Sequence, residues 1–137
     1  MRLLKFVFFT FAMLLTVGAS SVLSQQPKGV PGEIPKFDVK KEVQIRGTIQ
    51  EVKNYSCPVT GTVGTHLALR TSDGLIEVHV AAAKFLQDYG IHFTANDEVV
   101  MIGTKGSYQG SPAFLPRIIM IGNNSYFVRG TDGKPLW

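Results

Sequence analysis

Residues 65–80 read Thr-His-Leu-Ala-Leu-Arg-Thr-Ser-Asp-Gly-Leu-Ile-Glu-Val-His-Val, and this stretch decides the fold. On either side of Asp73-Gly74 the chain alternates between apolar and polar residues, the pattern of two half-buried strands joined by a tight turn. Asp-Gly between such strands predicts a two-residue type I′ turn. With Ser72 facing Leu75, Leu67 faces Val80, Leu69 faces Val78 and Thr71 faces Ile76, all on one apolar face. The other face then pairs Arg70 with Glu77 and Ala68 with His79, with His66 diagonal to His79. This second face is expected to meet solvent.

Working outward, the segment before the hairpin also alternates, with Val43, Ile45 and Ile49 on one side and Gln44, Arg46, Thr48 and Gln50 on the other. Its phase slips by one before Val52, so a bulge near Gln50 or Glu51 is expected in a long strand over 43–55, with Gly47 where it curves. Residues 56–64 read as a loop. After the hairpin strands (65–71 and 75–80) the period changes. Ala82, Phe85, Leu86 and Tyr89 follow helical spacing over 81–89, and Gly90 supplies the stop. Two further strands are expected over 98–105 and 113–121, with Gln109-Gly110 at the tip between them. A second Asp-Gly, Asp132-Gly133, predicts a small hairpin within 126–137. Leu67, Leu69, Ile76, Val78, Val80, Phe85 and Leu86 are the expected core.

The order β-β-β-α-β-β defines the fold class: all-β with one short helix, a five-stranded OB-type barrel plus a small C-terminal hairpin. Pro135 and Trp137 are read as closing that barrel. The segments RGTIQEV (46–52), LIEVHVAAAKFL (75–86), NDEVVMIGTK (96–105) and RGTDGKPLW (129–137) resemble exported bacterial proteins with an OB-type domain. They are distantly similar to the periplasmic stress-tolerance OB-fold family. These motifs are turn glycines and barrel apolars, so the resemblance implies fold and compartment and carries no catalytic residue across.

The N-terminus has Arg2 and Lys5, an apolar run from Phe6 to Val17, and small residues at its exit, which is the form of a secretory signal peptide. Twelve helical residues extend about 18 Å, well short of the roughly 30 Å hydrocarbon core. Residues 1–24 are therefore expected to be a signal peptide cleaved after Ser24. Residues 25–37, with Pro27, Pro31 and Pro35, form a Pro/Gly-rich linker, and 38–137 form the OB-fold domain. No Cys follows the apolar run, so no membrane anchor is expected after cleavage, and the localisation implied is periplasmic or secreted. Residues 25–137 hold 12 basic and 10 acidic side chains, which excludes a strongly basic nucleic-acid footprint. The single cysteine excludes an internal disulfide framework.

No catalytic motif is present: there is no Gly-x-Ser-x-Gly elbow, no His-Glu-x-x-His and no Walker lysine. The domain is read as a non-enzymatic binding module with no cofactor. Its partner would be an unknown small ligand, a peptide or an envelope protein. The binding face would use His66, Arg70, Glu77 and His79, flanked by Tyr55 and Tyr108. Single-stranded nucleic acid is an alternative partner, since OB barrels use this surface with aromatic stacking. It is not favoured, because only Tyr55 and Tyr108 border the face as aromatics. A third reading is a periplasmic copper or zinc carrier that uses Cys57, His66 and His79, a soft donor set suited to either ion.

Overall fold

The computed structural model describes residues 33–137. The expected signal peptide (1–24) and residues 25–32 of the expected linker lie outside the described residues. A 3₁₀ turn, Val39–Lys41, opens the ordered domain; the Asp38 carboxylate caps it by accepting from the Lys40 N–H at 3.0 Å. Then follow β1 (Val43–Cys57), β2 (Thr62–Thr71), β3 (Gly74–Ala82), α1 (Ala83–Asp88), β4 (Glu98–Tyr108), β5 (Ser111–Ile121) and β6 (Asn124–Phe127). Among the described residues no helix is long and apolar enough to cross a membrane.

The long first strand is what closes the sheet. Its first half pairs with β4 up to Thr48, and its second half pairs with β2 from Thr48 to Cys57. The register slips between Ile49 and Glu51, which is the bulge that the phase change in the sequence requires. At Gly47 the backbone approaches β2 so closely that a Cβ would lie 2.5 Å from the Arg70 carbonyl oxygen. A short parallel pairing of Glu77 with Ala113 and Val78 with Phe114 joins β3 to β5. The ring β1-β2-β3-β5-β4 is thus complete, with the helix between β3 and β4, as an OB-type barrel requires.

The barrel interior holds Ile49, Leu67, Leu69, Val78, Val80, Val99, Met101, Phe114 and Ile119, and α1 inserts Leu86 into the same cluster. Ile76 and Phe85, also expected inside, are only partly buried and pack against its edge. Gly90 ends the helix at φ +65°, where the Ile91 N–H reaches back to the Leu86 carbonyl at 2.8 Å.

Two expectations need correction. The β2–β3 register is shifted by two residues: Arg70 faces Leu75, Leu69 faces Ile76, Ala68 faces Glu77, and His66 directly faces His79. The faces survive because a shift of two preserves side-chain parity. The cause is the turn. Thr71 pairs with Gly74, and neither Ser72 nor Asp73 has positive φ; only Gly74 does, at +117°. The type I′ conformation, with both central residues at positive φ, occurs instead at Gln109 (+50°) and Gly110 (+78°) between β4 and β5.

The C-terminus keeps the expected small hairpin: an Arg129–Pro135 bridge and a bond from the Gly130 N–H to the Lys134 carbonyl at 2.9 Å close the Asp132-Gly133 turn, while residues 124–127 pair back with β5 as β6. The second correction concerns the face of His66 and His79. Both are buried, at 2% and 0% exposure, where solvent contact was expected.

Candidate metal centre

Strand parity places the site. Tyr55 and Cys57 on β1, His66 on β2, and Glu77 and His79 on β3 all point to the sheet face opposite the barrel core. The extension of β1 to Cys57, beyond the expected end at Tyr55, brings the thiol onto this face. A tight turn then returns the chain: the Gly61 N–H and the Thr60 hydroxyl both donate to the Cys57 carbonyl, at 2.9 and 3.2 Å. The Trp137 indole N–H donates to the Thr60 carbonyl at 2.9 Å, so the C-terminal segment braces the turn that carries the cysteine.

Cys57 Sγ lies 3.5 Å from His79 Nδ1, and the ligand atoms of Cys57, His66 and His79 all fall within 4.8 Å of one another. All three residues are buried. Two tyrosines cover them. The Tyr55 ring stacks on His66 with centroids 3.7 Å apart and an interplanar angle of 11°, while Tyr108 meets His79 edge-on at 5.2 Å. The histidines themselves are edge to face at 4.8 Å. The Tyr55 hydroxyl donates to Glu77 Oε1, which fixes the carboxylate at the rim.

Burial dominates the electrostatics. Desolvation lowers the basicity of both histidines, with the Glu77 charge opposing it; for His79, where His66 adds to the effect, the pKa falls to about 4. Both rings are therefore neutral at pH 7 and ready to act as ligands. The Tyr55 and Tyr108 hydroxyls are pushed upward in pKa, first by desolvation and then by neighbours including Glu77 and Cys57.

Both His66 ring nitrogens and His79 Nε2 are buried without a hydrogen-bond partner. Leaving a buried polar atom unsatisfied costs about 1–3 kcal/mol. Each imidazole can give a cation one ring nitrogen, so His66, His79 and the thiol offer three ligand atoms, and an ion bound there would satisfy one of the orphaned His66 nitrogens. Metal–ligand bonds near 2.0–2.3 Å put neighbouring donors roughly 3.5 Å apart. The Cys57–His79 separation already matches that spacing.

Of the residues expected to share a site, Tyr55, Cys57, His66, Glu77, His79 and Tyr108 converge, and Arg70 does not. It is exposed near the Ser72-Asp73 turn, and Glu77, its expected cross-strand partner, bonds Tyr55 instead. His92 is exposed after the helix and takes no part. A groove of about 340 Å³ runs beside the cluster and is walled by Lys53, His66, Ala68, Glu77 and Pro112 among others. A larger groove of about 690 Å³ lies between the β2–β3 and β4–β5 hairpins and contains none of the donors. Sequence reasoning does not anticipate Thr60 and reads Trp137 only as closing the barrel, because their support of the site runs through backbone carbonyls.

Fold and site define a small OB-type barrel with a buried Cys-His-His cluster on the outer face of strands two and three. The chain belongs to the MamS/MamX magnetosome protein family, whose sequence profile matches residues 41–126. That span covers five strands, most of β6, and every donor of the cluster. No curated protein matches the chain.

Proposed function

We propose that this barrel is an exported, non-enzymatic envelope module that binds one soft metal ion, copper or zinc, through Cys57, His66 and His79. The observation that carries the reading is the convergence of a buried thiol and two buried imidazoles, one ligand atom from each within 4.8 Å of the others, with both His66 ring nitrogens lacking a hydrogen-bond partner. Thiolate and imidazole suit both ions, and the lowered basicity of the histidines reduces proton competition at neutral pH. Export rests on the charged start, the short apolar run and the small residues at its exit, and a place in the envelope agrees with a magnetosome family. Nucleic acid is the weaker partner, because Tyr55 and Tyr108 are already engaged with the histidines.

The test is metal titration of purified, reduced protein stripped with chelator. One equivalent of Cu(I) or Zn(II) should bind in wild type, and Cys57→Ser or His79→Gln should abolish or sharply weaken it. Wild-type protein that takes up neither ion at micromolar concentration overturns the reading.

A further inference from the structure

We infer that Tyr55 sets the metal selectivity of this site by holding the Glu77 carboxylate away from it, which keeps the protein donor set at three. The inference rests on the metal reading above and names the residue that decides between the two ions.

Glu77 and His79 share a strand face, two residues apart on β3. Directly opposite Glu77 stands Ala68, whose side chain is a single methyl group, and His66 lies two residues along on the same strand face. Glu77 and His66 also wall the same groove, so the carboxylate sits on the approach to the donors. Among the described residues the other acid on this groove wall is Glu51, which is engaged with Lys53 at 3.0 Å. Glu77 is thus the one nearby carboxylate available as a fourth ligand, and it is tethered. Its Oε1 accepts from the hydroxyl of Tyr55, whose ring lies flat on His66.

The chemistry of the two ions makes this tether consequential. Structural zinc is almost always four-coordinate and takes carboxylate oxygen readily, whereas Cu(I) is selected by soft donors and gains little from a hard oxygen. A site of one thiolate and two imidazoles satisfies Cu(I) with three bonds. Zinc would need Glu77 to leave Tyr55, or a water in its place. Tyr55 therefore opposes zinc more than Cu(I). The same hydroxyl–carboxylate bond explains why a half-buried acid can sit beside two neutral histidines without entering the cluster.

The experiment compares wild type, Tyr55→Phe, Glu77→Gln and the double variant as full-length reduced protein. Each is titrated with Zn(II) and with Cu(I) against chelators of known affinity. Phenylalanine keeps the stacked ring and removes only the tether. Tyr55→Phe should tighten zinc by about tenfold or more while changing Cu(I) by less than about threefold, since only zinc gains a fourth bond. The gain should vanish in the double variant, and Glu77→Gln alone should leave Cu(I) binding unchanged. Unmoved zinc affinity in Tyr55→Phe, or a gain that survives Glu77→Gln, overturns the inference and leaves the metal site standing. Absence of binding in wild type overturns the site itself. Retained Cu(I) binding serves as the folding control; if Tyr55→Phe fails it, Tyr55→Leu, which also lacks the hydroxyl, must show the same zinc gain.

Discussion

Acid should destabilise the metal-free protein well above the range where carboxylates titrate, and the buried histidines should be the cause. His79 has an ordinary pKa of 6.5 when unfolded and about 4 in the fold. The unfolded chain therefore binds the extra proton between these values, so stability is full above pH 6.5, falls as pH drops toward 4, and is flat below. At 1.36 kcal/mol per unit, lowering the pH from 7.5 to 5 removes about 2 kcal/mol through His79 alone. His66 shifts in the same direction and adds to the loss. Glu42, lowered from 4.5 chiefly by its hydrogen bonds from Arg117, contributes little between pH 7.5 and 5. Urea unfolding in the presence of chelator at the two pH values measures the difference, provided the m-value stays constant. The double variant His66→Gln/His79→Gln should lose most of the pH dependence, whatever its absolute stability. Equal losses in wild type and the double variant would refute the assignment.

Other expectations are simpler. Leu69→Ala removes a fully buried side chain from the barrel centre and should cost about 2–5 kcal/mol by chemical denaturation; a loss under 1 would mean the core is not packed as described. Gly47→Ala places a methyl against the Arg70 carbonyl and the Leu69 side chain, and should cost about 1–3 kcal/mol, with a neutral result excluding the close β1–β2 approach. On the proposed export, the mature protein should begin at Gln25 by intact mass, and a retained Met1 would end the signal-peptide reading.

The strands, the bulge and the core face were legible because period-two alternation reports which way each side chain points. The register was not. Pairing Leu69 with Ile76 or with Val78 leaves every side chain on the same face, so the hydrophobic pattern cannot choose between them. The turn made the choice, and an Asp-Gly pair admits more than one turn. In this turn Gly74 alone takes positive φ, and the two-residue loop is Ser72-Asp73, one position earlier than a type I′ turn on Asp73-Gly74 would place it. That two-residue slip moved His66 from diagonal to directly opposite His79 and separated Arg70 from Glu77.

The burial of the histidines lay further beyond reach, for a reason that bears on the site. Polar residues alternating with core residues on a strand ordinarily face water, and a reading confined to β2 and β3 puts His66 and His79 there. Their cover comes from elsewhere: Tyr55 near the end of β1 and Tyr108 at the end of β4, with Cys57 drawn in by two extra strand residues. Each of these is more than ten residues from the histidine it touches, and no local pattern links them. Once covered, the rings lose water while three of their four nitrogens gain no hydrogen-bond partner, and desolvation lowers their basicity. Two neutral imidazoles and a thiol in that state are costly to fold alone and inexpensive to fold around a cation. The burial that made the site invisible to sequence periodicity is thus the same physical fact that makes a metal its most economical occupant.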